Sequence, residues 1–165
     1  MGLFDKLFGK KEEINPNHLY APMTGTAVAI SEVPDPTFAE GMLGNGIAIQ
    51  PTDGKVCSPV NGTVDTMFET GHAVSLISDN GIEILIHVGL ETVGLNGAPF
   101  QVKCKNGQKV KKGDILMIAD LEAIKAAGLP TITPVLVCNS DDYTTFNTTT
   151  GKAVTNADVV IEVGK

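Results

Sequence analysis

The chain contains no run near the ~18 consecutive apolar residues that a membrane-spanning helix requires. Its N-terminus also lacks an apolar stretch followed by a small-residue cleavage site, so the sequence reads as neither membrane-integral nor secreted. Cysteine is scarce: Cys57, Cys104 and Cys138 are odd in number, widely spaced and in no CxxC pair. That pattern argues against a disulfide framework and fits buried thiols in a reducing compartment, hence a cytoplasmic protein. Positive charge is short as well. The 12 basic residues against 19 acidic ones give a formal charge of −7, which disfavours nucleic acid and favours a basic partner. Aromatics make up only 5% of the chain, while Gly numbers 18 and Pro 9, a balance that suits many short strands punctuated by turns.

At 165 residues the chain can bury a core without disulfides or metals, and one domain is expected. The opening is different in character. Leu3, Phe4, Leu7 and Phe8 fall at one helical spacing with Lys6, Lys10 and Lys11 nearby, which suits a short interfacial helix, although a frayed tail accounts for it equally well. Residues 1–18 are set apart as a flexible, amphipathic tail, and 19–165 as a domain expected to be monomeric.

From Leu19 onward, runs of four to eight residues rich in Val and Ile are bounded by Gly, Pro, Asn and Asp, as in an all-β domain. Strands are predicted near 26–30, 46–50, 62–68, 73–78, 82–88, 115–119, 134–138 and 158–163. Ala21-Pro22-Met23-Thr24-Gly25-Thr26 and Ser58-Pro59-Val60-Asn61-Gly62-Thr63 echo each other, and Gly107 to Leu116 adds a third Gly-bounded turn into a strand. Such echoes point to a folded-over sheet with internal duplication. The one convincing helix is 120–128, with Asp120 as N-cap and Gly128 as its stop. The Thr-rich tract 144–151 reads as loop.

Of the three histidines, His18 lies in the polar entry and reads as incidental. Alternation from Ile82 to Val88 sends Ile82, Ile84, Ile86 and Val88 to the core and leaves Glu83, Leu85 and His87 on the opposite face. Taken alone, such a histidine is more often structural than catalytic. His72 changes the balance, because a hairpin turning through Asp79-Asn80-Gly81 pairs residues near 74 with those near 86 and brings His72 and His87 to the same end of the ladder. Two facing imidazoles can bind a metal, act as acid and base, or pass a phosphoryl group. No HxH, HExxH or Cys/His cluster supplies further zinc ligands, and no GxSxG, P-loop or GxGxxG motif is present.

The segment Gly81-Ile82-Glu83-Ile84-Leu85-Ile86-His87-Val88-Gly89-Leu90-Glu91-Thr92-Val93 closely resembles the phosphorylation-site motif of the glucose-type enzyme IIA family of the bacterial phosphoenolpyruvate-dependent sugar phosphotransferase system. Residues 33–40, 44–49 and 68–73 are similar to further family segments in the same order, and the resemblance covers nearly all of 19–165. It implies an antiparallel β-sandwich or barrel of the duplicated hybrid kind with one or two short helices. It also implies that His87 accepts a phosphoryl group from the phosphohistidine of the carrier protein HPr and passes it to a cysteine of a IIB domain. His72 would hold the phosphoryl oxygens, and Thr70 would orient His72. Phe38, Met42, Leu43, Phe68, Val74 and Leu85 would form an apolar docking rim, with Asp35, Glu40 and Glu91 facing a basic partner; core filling explains Phe68 and Val74 as readily, and suits Ile86 better.

The resemblance implies no cofactor beyond the covalent phosphohistidine. Zinc enters only as an ion shared with a partner, for which His72 and His87 would supply two ligands. The opening residues 1–11 are similar to the amphipathic start of free-standing members, which implies contact with the inner membrane surface. Glu91 stands where the family often has Asp, Pro36 where it has Val, and Leu85 and Val74 where it has aromatics; these departures touch the rim rather than the two histidines. Three rivals are weighed beside it. A biotinyl- or lipoyl-carrier domain lacks its Lys motif here, a zinc peptidase on a related fold lacks a third ligand, and a purely regulatory protein would retain the histidine pair.

Overall fold

Residues 82–88 alternate as a half-buried strand should. In the structure, a computed structural model that describes residues 14–165, Ile82, Ile84, Ile86 and Val88 are almost wholly buried, Glu83 is exposed, and Leu85 and His87 are half-buried. The same logic of short, Gly-bounded runs gives the described residues fourteen strands: β1 (His18–Tyr20), β2 (Gly25–Ala29), β3 (Asn45–Pro51), β4 (Lys55–Cys57), β5 (Gly62–Met67), β6 (Ala73–Ser78), β7 (Glu83–His87), β8 (Phe100–Val102), β9 (Lys109–Val110), β10 (Ile115–Ala119), β11 (Thr133–Val137), β12 (Thr145–Thr148), β13 (Lys152–Val154) and β14 (Val159–Gly164). Two short helices are added. In α1 (Pro36–Ala39) the Asp35 carboxylate accepts the Thr37 N–H at 3.0 Å, and in α2 (Leu121–Ala126) Asp120 caps Ala123 at 3.1 Å.

The principal sheet is antiparallel, in the order β13-β2-β3-β11-β7-β6-β5-β9, and β1-β14-β12 and β4-β10-β8 form two smaller sheets. The large sheet does not close on itself, so the architecture is a β-sandwich rather than a barrel. Its strand order mirrors about the β11/β7 pair, and the hydrogen bonds repeat with it. Gly25 faces Pro51 and Val154, as Gly62 faces Ser78 and Val110. The Tyr20 N–H donates to the Pro59 carbonyl at 3.0 Å, and the Cys57 N–H donates to that of Pro22 at 2.8 Å, so the two echoing segments clasp each other reciprocally. Glycine recurs in both because the next strand passes directly over it: a Cβ would lie 2.1 Å from the Gln50 oxygen at Gly25 and 2.3 Å from the Ile77 oxygen at Gly62.

The main core fills the space between the sheets, with Leu19, Ile47, Leu76, Ile84, Ile86, Leu116 and Ile161 among its members. A smaller cluster covers the outer face of β3, β11 and β7, where Phe38 of α1 packs with Val33, Ala48, Leu90, Ile132 and Leu136. Burying the Phe38 ring there stabilises the loop before β3 by about 2 kcal/mol. This second cluster supplies, through Phe38, the apolar wall against which His87 rests.

Four expectations need correction. The Thr-rich tract is not all loop, since β12 pairs with β14 from Thr145↔Gly164 to Thr148↔Ile161; β-branched threonines suit an edge strand whose side chains stay largely in water. The tail ends earlier than residue 18, because His18 pairs with Glu162 in β1 and its ring meets the Glu162 carboxylate at 2.8 Å. Residues 1–13, which carry the amphipathic pattern and the whole of the segment 1–11 expected to contact the membrane, lie outside the described residues. The cysteines are free but not uniformly buried: Cys104 is buried, Cys57 half-buried and Cys138 exposed just past the end of β11. Finally, β1, β4, β8, β9 and β13 have two or three residues each, too few for alternation to register.

Candidate functional site

The β6–β7 hairpin carries the site. Its turn closes through Gly81, whose N–H donates to the Ser78 carbonyl at 2.9 Å and whose φ of 88° lies in the left-handed region. The resulting register pairs Val74 with Ile86 and Ala73 with His87, as the turn residues predict. His72 precedes β6 by one residue, and its carbonyl accepts the Val88 N–H at 2.7 Å. The two imidazoles therefore meet at one end of the ladder, with centroids 5.0 Å apart and planes at 77°.

Each ring is held by its own neighbours. Nδ1 of His87 lies 2.8 Å from the Gly89 carbonyl oxygen, which only accepts, so Nδ1 carries the proton and Nε2 of the neutral ring keeps its lone pair. Nδ1 of His72 lies 2.5 Å from the Thr70 hydroxyl, which fixes the ring's orientation while leaving either atom able to donate. Phe38 tilts against His87 at 5.0 Å and Phe68 stands edge-on to His72 at 5.4 Å, so the pair is bracketed by aromatics.

This enclosure disfavours charge. Burial, with the neighbouring His87 adding to it, pushes His72 from the ordinary 6.5 down to about 4. Burial also lowers His87, opposed by its bond to the Gly89 carbonyl and by the carboxylates of Asp35 and Glu91. Both rings are neutral at physiological pH, which suits a nucleophile and a hydrogen-bonding partner. Among the described residues no group of three or more His, Cys, Asp or Glu is placed to hold a metal.

The expected rim is only partly assembled here. Phe38 is 5% exposed and contributes mainly a ring edge, Leu85 is half-buried in the outer cluster, and Phe68 is accessible. Met42 and Leu43 are strongly exposed on the loop after α1, but Leu43 adjoins Gly44 against Val137, at the far end of β7 from His87. Glu40 is exposed at the end of α1. Val74 is a correction: it has no exposure and belongs to the main core, because it sits on the inward face of β6 beside Ile86. Ile86 is likewise core.

Two contributors escaped the sequence reading. Thr92 is wholly buried and its hydroxyl donates to the Val88 carbonyl at 2.5 Å, pinning the loop that presents Gly89; a threonine closing a Gly-bounded turn is the signal that could have exposed it. Val93, 48% exposed on the turn beyond Glu91, adds apolar surface beside the site.

Residues 17–143 match the family described as the phosphoenolpyruvate-dependent sugar phosphotransferase system, EIIA 1. The chain is 47% identical over 153 residues to a PTS system glucose-specific EIIA component of Bacillus cereus, covering 93% of each. It is 44% identical over 163 residues to a protein of the same description from Staphylococcus epidermidis, covering 98% of each. Among solved structures it resembles glucose permease IIA from Mycoplasma capricolum, with a TM-score of 0.80 and 34% identity, across 87% of this chain and 93% of that one.

Proposed function

The chain belongs to the EIIA 1 family of the phosphoenolpyruvate-dependent sugar phosphotransferase system, and from that premise we propose that it is a phosphocarrier whose His87 receives and releases the phosphoryl group. The observation that carries the reading is the 2.8 Å contact from Nδ1 of His87 to the Gly89 carbonyl, which leaves Nε2 as the free nucleophile. In the forward step the Nε2 lone pair bonds to phosphorus as the phosphorus–nitrogen bond of HPr phosphohistidine breaks, and the donor imidazole leaves neutral. The proton stays on Nδ1 of His87 throughout, donated to the Gly89 carbonyl oxygen. In the second step a cysteine thiolate of a IIB domain attacks the same phosphorus and His87 departs as neutral imidazole.

His72 serves as the phosphoryl clamp. With Thr70 donating to Nδ1, its Nε2–H is turned toward a phosphoryl oxygen on His87, where a donor in a water-poor site stabilises the transferring charge. Phe38, Phe68, Leu85 and Val93 exclude water and offer a docking edge. Met42 and Leu43 offer a separate exposed apolar point on the loop after α1, while Asp35, Glu40 and Glu91 attract a basic partner. The scheme needs no metal; a zinc ion shared with a partner would find two imidazole ligands here and take the rest from that partner.

The descriptions of the relatives support glucose as the transported sugar, with the sugar itself bound by another component. No helix among the described residues is long and apolar enough to cross a membrane. The scheme assigns a cytoplasmic monomer, with residues 1–11 touching the inner membrane face near the permease. Incubation with phosphoenolpyruvate, enzyme I and HPr, read by intact mass, tests it: one added acid-labile phosphate supports the reading, and an unmodified mass defeats it.

A further inference from the structure

The chain contains five Asn-Gly pairs, beginning at Asn45, Asn61, Asn80, Asn96 and Asn106. Such a pair can cyclise. The backbone nitrogen of Gly, losing its proton, bonds to the Asn side-chain carbon; ammonia leaves with that proton, and water then opens the cyclic imide to aspartate or to isoaspartate, whose chain runs through the side-chain carboxyl. Glycine permits the reaction at all five because it has no Cβ to block the approach. Only the fold distinguishes them.

Four pairs are restrained. The Asn45 side-chain oxygen accepts the Gly46 N–H at 2.8 Å within β3, and a Cβ on Gly46 would lie 2.0 Å from the Val135 oxygen, so the imide has no room. The Asn61 oxygen accepts the Lys112 N–H at 2.8 Å, and Gly62 is overlaid by Ile77. The Asn80 amide donates to Asn17 at 2.8 Å while the Gly81 N–H is engaged by the Ser78 carbonyl. The Asn106 oxygen accepts the Met67 N–H at 2.7 Å while the Gly107 N–H donates to the Val64 carbonyl at 2.7 Å.

Asn96 differs on every count. It is exposed at the end of the turn after β7, and among the described residues its side chain has no hydrogen-bond partner and the Gly97 N–H has no acceptor. Residues 96 and 97 also adopt left-handed backbone, with φ of 54° and 85°, outside any regular strand or helix ladder that would hold the chain. Around Gly97 the nearest group to a Cβ position is the Thr70 carbonyl oxygen at 3.6 Å, so there is space for the imide.

We propose that Asn96-Gly97 is a self-modification site, converting to aspartate and isoaspartate selectively among the five pairs and altering the setting of His72. The consequence follows from position. Gly97 lies against the backbone of Thr70, whose hydroxyl holds the His72 ring, so an added carbon in the chain and a new carboxylate disturb the backbone that carries that hydroxyl.

The test is peptide mapping of the full chain aged in mildly alkaline buffer, with isoaspartate detection, beside the same chain aged in urea. Folded protein should convert at Asn96 at least about tenfold faster than at any other pair, the margin expected when one or two hydrogen bonds must open elsewhere. In urea the five rates should converge. Asn96→Gln should remove the fast phase, and conversion in the wild-type chain should shift the ring signals of His72 in NMR. Comparable rates at Asn80 or Asn106 in the folded protein, a fast phase surviving Asn96→Gln, or unmoved His72 signals would overturn the proposal.

Discussion

The Gly89 carbonyl oxygen accepts from Nδ1 of His87 across 2.8 Å, a contact made by the backbone only two residues downstream of the ring it orients. It depends on Gly89 holding a φ of 75° while packed beneath Thr92 and Pro130.

Substituting Gly89 should therefore cost both stability and function. A Cβ there would lie 2.7 Å from the Thr92 methyl carbon and 2.9 Å from the Pro130 oxygen. Gly89→Ala is expected to lose about 3 kcal/mol in urea unfolding and to accept phosphate poorly. Gly81→Ala is the control: it shares the left-handed backbone but meets nothing within 4 Å, so it should lose only about 1 kcal/mol and keep normal phosphorylation.

Accepting and passing on should separate at the second histidine. His72→Gln leaves Nε2 of His87 intact and should still be phosphorylated, while transfer to a IIB domain falls by roughly a hundredfold in a quenched-flow assay. Thr70→Val should show a weaker form of the same defect, roughly tenfold, because the ring remains but loses its anchor.

Acid should weaken the fold through the same pair. His72 is neutral in the folded protein down to about pH 4, whereas the unfolded chain takes up a proton from pH 6.5 downward. The unfolded state thus binds more protons across that window, and stability falls as pH is lowered through it, by on the order of 3 kcal/mol from His72, with His87 adding in the same direction. Urea midpoints measured across the window should drop for the wild type and drop less steeply for His72→Gln, where only the His87 contribution remains.

Removing the ring that shelters the nucleophile gives a further check. Phe38→Ala should lose about 3 kcal/mol and admit water beside His87, moving its titration back up toward the ordinary value in an NMR pH series. An unmoved titration would mean that the ring does not control the site's polarity.

Much of this was legible in the chain. Four alternating apolar residues and an Asn-Gly turn were enough to set the β6–β7 register and hence to bring His72 and His87 together. The echo of Pro22-x-x-Gly25 in Pro59-x-x-Gly62 announced the duplication that the clasped hydrogen bonds display. The two- and three-residue strands stayed hidden because their partners, not their own pattern, define them. Val74 entered the rim through the family resemblance, although the legible pairing with an inward Ile86 already turns it into the core; the aromatic contacts of Phe38 and Phe68 depend on loop paths that no local pattern encodes.

The most direct test of the central claim is NMR of the phosphorylated protein with nitrogen-labelled histidine. The account predicts a single phosphoryl group on Nε2 of His87, with Nδ1 still protonated and bonded to the Gly89 carbonyl. Phosphate on Nδ1 of His87, on His72, or on any other residue would contradict it.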